Sequence, residues 1–301
     1  MNQAFFPAFG HRPAQLAGRE QEISDFLRAL ATKPGDWRRA TFISGYKGMG
    51  KTALALELAD WATAQGYEVL NVNADEDWSA AFAQLSVQRD KVLAVVDDVH
   101  NPTSSLRSLA SAYRTMCSRG RSVALIMCGE PKTLEALQKD SVLSALQLSQ
   151  HMRLKALPLG KVEAALEHGL AKTGVLLGKQ DLHRAASATK GHPYLMQLVG
   201  AYLSGGAMSA ERACSYAQRD FIDAVINPML GDLSSRDTEV LRALAALGGK
   251  ASTAQLLEQL GMGDNHLQPY RARLLRAGVV SSPRRGQLVL ALPYLAEALA
   301  E

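Results

Sequence analysis

Residues 45–52 read Gly45-Tyr46-Lys47-Gly48-Met49-Gly50-Lys51-Thr52, a G-x-x-x-x-G-K-T run. That spacing is the phosphate-binding P-loop pattern, and each residue type in it has a chemical reason. The glycines admit positive φ, so backbone N–H groups can turn inward around a chain of phosphates. Lys51 brings a cation to the β- and γ-phosphates, and the Thr52 hydroxyl offers a ligand to Mg2+. The stretch from Gly45 to Ala53 is therefore read as lining a nucleotide's phosphates, with ATP and Mg2+ as the implied ligands. The second chemical element is Lys91-Val92-Leu93-Ala94-Val95-Val96-Asp97-Asp98-Val99-His100. Asp97 occupies the Walker B position, where a carboxylate holds Mg2+ through its water shell. Asp98 follows it, and His100 reads as a hydrogen-bonded loop residue.

These groups need a frame. Ala40-Thr41-Phe42-Ile43-Ser44 is a β-branched and aromatic run that predicts a buried strand before the loop. The Ala/Leu-rich stretch from Lys51 to Gln65 predicts the helix after it, its N-terminal dipole aimed at the phosphates. The apolar run ending at Asp97 predicts a strand buried on both faces, as in a parallel sheet, with ligands at its C-terminal end. Further strands are predicted over 67–73, 122–129 and 152–157, and helices over 17–31, 78–88, 106–118 and 134–149. From Gly160 to Asn227 the pattern is helical throughout, with helices over 162–172, 181–189, 193–203 and 210–225. Pro193 stands at the first helical position after Gly191-His192.

The chain has 301 residues, 47% hydrophobic and 21% charged, which suits two or three globular domains. A net charge of +4 is too mild to argue for nucleic acid by itself. Cys117, Cys128 and Cys214 lack metal-ligand spacing, and their odd number without a signal sequence implies reduced thiols in the cytoplasm. No apolar run approaches the ~20 residues of a membrane span.

The P-loop, the Asp97-Asp98 pair and the Gly191-His192-Pro193 turn, in that order, resemble the AAA+ ATPases related to archaeal origin-recognition initiators and the STAND switch ATPases. The resemblance implies an α/β P-loop core with a parallel five-stranded sheet over 1–158, an all-α lid over 159–230 and a winged helix over 231–301. By the same resemblance Asp98 polarises the attacking water, and His192 and Pro193 contact the adenine and ribose. The Ala17-Gly18-Arg19-Glu20 opening would lie beside the adenine. The sensor-1 position falls to Cys128 or Glu130, and a thiol there is a poor γ-phosphate donor, which implies slow turnover. Residues 194–203 contain no sensor-2 arginine, which points to the STAND side. Arg153 is the leading arginine finger for a homo-oligomer, with Arg119 and Arg121 as competitors.

Beyond Leu233 the reading is three helices, over 238–247, over 253–260 and within 264–277 with Pro269 near its start, then a hairpin of strands at 279–281 and 287–291. The third helix carries Arg271, Arg273 and Arg276, the turn of the hairpin carries Arg284 and Arg285, and Asp264 alone opposes them. On double-stranded DNA such a helix enters the major groove while the wing lies on the backbone. His266, Gln268, Arg271 and Arg273 would then meet bases or phosphates, and Arg284 and Arg285 phosphates. Two other readings use the same features: a signalling switch whose winged helix meets a protein partner, and an adaptor for a separate DNA-processing enzyme such as a transposase. No large additional domain is evident, so an effector would be a separate chain.

Overall fold

A computed structural model of the chain describes residues 4–143, 146, 149–263 and 266–300. It divides into two compact units, Met1–Ala165 and Leu166–Glu301. The first unit is built on five parallel strands: β1 (Ala40–Ser44), β2 (Glu68–Asn73), β3 (Lys91–Val99), β4 (Ser122–Gly129) and β5 (Gln150–Arg153). Their order is β2-β3-β4-β1-β5. Helices α1 (Glu20–Leu30), α2 (Lys51–Ala64), α3 (Ser79–Gln88), α4 (Ser104–Ser118) and α5 (Pro131–Lys139) connect them.

The two-residue period of β3 divides the core. Val92, Ala94 and Val96 pack with Phe82, Leu106 and Leu109 on one face; Leu93 and Val95 pack with Phe26, Leu54 and Leu58 on the other. Both faces are buried, as the unbroken apolar run requires. Each fully buried Leu or Phe contributes about 1.5–3 kcal/mol of transfer free energy, so this sheet is a rigid base for the loops at its C-terminal edge. The opposite edge is tied by polar bonds. Arg121 donates through Nε to Ser86 O at 2.6 Å and through Nη2 to Val87 O and Arg89 O, closing the end of α3.

Two expectations change here. The helix foreseen over 134–149 ends at Lys139, because Asp140 is extended and its Oδ1 accepts the N–H groups of Val142 and Leu143. Arg107 holds the other carboxylate oxygen at 2.8 Å. Residues 144, 145, 147 and 148 of that stretch lie outside the described residues. The fifth strand is Gln150–Arg153 rather than 152–157, because its partner β1 ends at Ser44, opposite Arg153.

The next helices are α6 (Leu159–Lys172), α7 (Lys179–Ala188), α8 (Pro193–Ser204), α9 (Ala210–Phe221) and α10 (Asn227–Gly231). Between α9 and α10 the chain widens into a π turn, Ile222–Ile226, where one continuous helix to Val225 was expected. Pro228 is the cause: it has no N–H to donate and its ring would meet the carbonyl four residues back in a regular α-helix. The C-terminal part contains α11 (Ser235–Ala246), α12 (Thr253–Leu260), α13 (Gln268–Arg276) and a last turn of helix, α14 (Leu295–Ala298). Strands β6 (Lys250–Ser252), β7 (Val280–Ser281) and β8 (Gln287–Leu290) form an antiparallel sheet in the order β6-β8-β7. The strand β6 was not foreseen; at three residues its pattern is too short to read. Ser234 and Asp237 form the capping box that opens α11.

Candidate functional site

The P-loop runs from the end of β1 to the start of α2. Gly48 (φ 77°) and Gly50 (φ 84°) take the left-handed conformation that a side chain would oppose. No side chain caps α2, so the N–H groups of its first turn are left for an anion. Lys51 Nζ donates to Gly45 O at 3.0 Å and to Tyr46 O at 3.3 Å, which holds the amine within the loop. Burial lowers the Lys51 pKa from the usual lysine value; the carboxylates of Glu130, Asp97 and Asp98 oppose that shift. A helix N-terminus, an enclosed ammonium, the Thr52 hydroxyl and a strand-end carboxylate form a donor set suited to a phosphate chain with Mg2+.

The loop is braced from beneath. Arg19, 5% exposed, donates to Met49 O at 3.4 Å and to Lys155 O at 3.0 Å and pairs with Glu22 at 3.5 Å. Burial lowers its pKa while Glu22 raises it. At the entry that the resemblance implies lies beside the adenine, Arg19 thus fastens the loop.

Asp97 and Asp98 lie in a β-bulge. The β3–β4 register shifts between Val96 and Val99, and Val99 then pairs with Gly129. Asp98 has φ 54°, its N–H donates to Asp97 Oδ1 at 2.9 Å, and its carboxylate, 80% exposed, lies 3.1 Å from His100 Nε2. The bulge turns two successive carboxylates out of the sheet instead of burying one of them. Gly129 makes it possible: a Cβ there would lie 2.6 Å from Val99 O and 3.2 Å from Phe42 Cζ. Gly129→Ala is therefore expected to lower stability by about 1–3 kcal/mol, read as a drop in the denaturant midpoint. Because the displaced atom belongs to the bulge, the same variant should also slow any hydrolysis.

Cys128 is fully buried, with Sγ 3.9 Å from Lys51 O. Burial first, and then the Asp97 carboxylate, push its thiol well above the usual value, so it packs as a neutral core group. Glu130, the other sensor-1 candidate, pairs with Lys132 at 3.0 Å and is first among the carboxylates acting on Lys51. Arg153 is exposed at the end of β5, directly across from Ser44. Its charge lowers the pKa of Tyr46 in its own P-loop, although burial of the phenol prevails and raises that pKa overall. Arg121 and Arg119 precede β4 at the edge of the sheet opposite the P-loop, where Arg121 is hydrogen-bonded to the carbonyls of Ser86, Val87 and Arg89.

In the second unit, His192 is buried edge-on against Phe221, with ring centres 4.8 Å apart, and Pro193 is half-buried at the first position of α8. The basic residues of the C-terminal part divide. His266, Gln268, Arg284 and Arg285 are exposed. Arg271 Nη2 donates to Ser282 Oγ at 3.1 Å, fixing it to the turn that bears the other two arginines. Arg273 is paired within the module: it donates to both oxygens of Asp237, which is 2% exposed, and lies 4.8 Å from the Tyr270 ring, while its own side chain stays 41% exposed. Asp264 lies outside the described residues. Among the described residues no helix is long and apolar enough to cross a membrane.

This order of parallel strands with a P-loop between β1 and α2 defines a P-loop NTPase fold of the AAA+ kind. The family model described as Novel STAND NTPase 3 matches residues 30–142, and a domain of unknown function, DUF8462, matches residues 223–299. Over residues 30–142 the chain is therefore similar to the STAND NTPases, and its P-loop core has the fold of that group. Among solved structures it is similar to the Walker-type ATPase PABY2304 of Pyrococcus abyssi, with a TM-score of 0.73 at 13% identity over 96% of this chain and 97% of that one. It is also similar to the ORC2 protein of Aeropyrum pernix in its ADP form, with a TM-score of 0.57 at 16% identity over 98% and 96%. The Thermotoga maritima RuvB Holliday junction branch migration motor matches with a TM-score of 0.53 at 16% identity over 94% and 96%. At these identities the likeness is one of fold. No curated protein matches the chain.

Proposed function

We propose that this chain binds Mg·ATP in its P-loop and hydrolyses it slowly, and that its nucleotide state controls double-stranded DNA binding by a C-terminal winged helix. The observation that carries the first half is the uncapped N-terminus of α2 beside an enclosed Lys51, with the Asp97–Asp98 bulge supplying two carboxylates. Lys51 and the loop N–H groups hold the phosphates, Thr52 and Asp97 hold Mg2+, and Asp98 accepts a hydrogen bond from the attacking water. Bound Mg2+ would neutralise charge on the phosphate oxygens. A buried thiol at Cys128 offers no strong hydrogen bond to a γ-phosphate, which supports slow turnover. Arg153 stands beside its own loop, and we assign it to the phosphates of its own subunit rather than to those of a neighbour. The Gly191-His192-Pro193 turn is assigned to the base and ribose by the family resemblance.

For the second half, the order α11-β6-α12-α13-β7-β8, with a sheet in the order β6-β8-β7, supports a winged helix with α13 as the groove helix. The DNA-facing set is His266, Gln268, Arg271, Arg284 and Arg285; Arg273 is withdrawn from it because Asp237 occupies its guanidinium. The test is fluorescence anisotropy of a labelled duplex under ATP, ADP and no nucleotide, at two salt concentrations. Binding should fall steeply with salt, and an Arg284→Ala/Arg285→Ala protein should lose about two units of the log–log salt slope. Absence of binding at low salt in every nucleotide state would overturn the DNA reading. The pairing of Arg273 with Asp237 thins the basic face and favours one rival, a switch whose winged helix meets a protein partner. Such a switch would show nucleotide-dependent partner binding and no response to DNA.

A further inference from the structure

Among the described residues, three that are not glycine have a positive φ: Asp98 (54°), Lys190 (48°) and Tyr294 (62°). Side-chain-bearing residues hold this conformation only where their surroundings impose it, and such positions gather at functional elements. Asp98 belongs to the candidate site. The other two, distant in sequence, touch each other. Lys190 Nζ lies 4.4 Å from the centre of the Tyr294 ring and 3.5 Å from Glu297 Oε1. The Tyr294 hydroxyl donates to Ala188 O at 2.5 Å. Burial, followed by the charges of Cys214 and Glu297, raises the pKa of that hydroxyl to about 12, so it keeps its proton and remains a donor at neutral pH.

These contacts fall on the turn that leads into α8. Within it, Gly191 N–H donates to Thr189 Oγ1 at 3.1 Å and His192 N–H to Thr189 O at 2.8 Å. Thr189 is fully buried, and Gly191 (φ 73°) continues the left-handed path that begins at Lys190. The turn is thus held from inside by Thr189 and from outside by Tyr294 and Glu297. The C-terminal segment is in turn fixed to α11, where Arg242 Nε donates to Leu299 O at 3.2 Å. A connected path runs from α11 through Leu299 and Tyr294 to Ala188 and Lys190.

We propose that Tyr294 is a positioning residue for the Gly191-His192-Pro193 turn, through which the C-terminal module sets the chain's affinity for nucleotide. The inference rests on the reading of that turn as a nucleotide contact. Each left-handed residue is held by the other: the Lys190 ammonium keeps the Tyr294 ring in place, and the ring and Glu297 keep Lys190 at φ 48°. Releasing Tyr294 lets Lys190 return to the ordinary region and swings the peptide that precedes His192. Coupling of this kind is reciprocal, so nucleotide on the turn also favours the docked C-terminal segment.

The test uses the full chain, with a fluorescent ATP analogue for affinity, hydrogen exchange for the turn and melting temperature for the fold. Tyr294→Phe should speed exchange of the amides of residues 189–192 and weaken binding about three- to tenfold with little change in melting temperature. Glu297→Gln, an exposed change, should shift both in the same direction by less. Adding Lys190→Gly to Tyr294→Phe should restore affinity, because glycine holds this φ without help; a loss that was only structural would deepen instead. His192→Ala separates the two failures. If His192→Ala weakens binding while Tyr294→Phe leaves exchange and affinity at wild-type levels, the positioning role is overturned and the nucleotide reading stands. If His192→Ala binds like wild type, the turn is not a nucleotide contact and the proposal falls with that reading.

Discussion

Lys51→Ala is expected to abolish ATP turnover and to weaken nucleotide binding by two orders of magnitude or more. The Lys51 ammonium is enclosed by the loop and already engages Gly45 O and Tyr46 O, so the folded chain has arranged the charge before any phosphate arrives. A pre-placed cation at a site of developing negative charge contributes about 3–4 kcal/mol, or roughly 10²–10³-fold. Water cannot replace it, because the alanine leaves a space lined by carbonyl oxygens that repel phosphate. Titration of a fluorescent ATP analogue gives the binding loss, and phosphate release gives the rate. The fold should survive, since Lys51 is half-buried and its side chain spans no core cluster. A Lys51→Ala protein that bound ATP as tightly as wild type would remove the P-loop from the mechanism.

Asp98→Asn is expected to leave ATP affinity within a few-fold of wild type and to slow hydrolysis about 10²–10⁴-fold, the range for loss of a positioned base. Asparagine is the informative replacement because it tolerates φ 54° and preserves the bulge. What it lacks is the carboxylate charge that accepts from water. Asp97 remains to hold Mg2+, and its Oδ1 still receives the N–H of residue 98. Single-turnover measurement separates this loss from slow product release. Equal rates for wild type and Asp98→Asn would assign the catalytic contact to another group; Glu130, which already bears on Lys51, would be next to substitute.

The parts of the site that lie on one continuous segment were legible before any fold was known. Gly45 to Thr52, the strand before them and the helix after them are contiguous, and their local propensities agree with the geometry found. The Walker B strand was legible for the same reason, since the unbroken apolar run Val92-Leu93-Ala94-Val95-Val96 reports its own burial. Its bulge was not, because the left-handed Asp98 is forced by pairing with Gly129 on another strand. The pairing of Arg273 with Asp237 was not legible, because Asp237 lies on a different helix and read as a simple cap. The helix expected to reach residue 149 was shortened by Arg107, which holds Asp140 from another element.

The sequence by itself determined which groups the site offers: a glycine loop, a cation, a hydroxyl and two carboxylates, at spacings that a strand–loop–helix and a buried strand satisfy. It also determined the parallel sheet, because apolar runs without alternation have to be covered on both faces. The tertiary structure decided which groups are available to act. It buried Cys128, committed Arg273 to Asp237, set Arg153 beside its own P-loop and joined Lys190 to Tyr294 across more than a hundred residues. Those outcomes depend on pairings between distant segments, and such pairings are selected by packing and by burial of partnered charge, which leave no local signal in the chain.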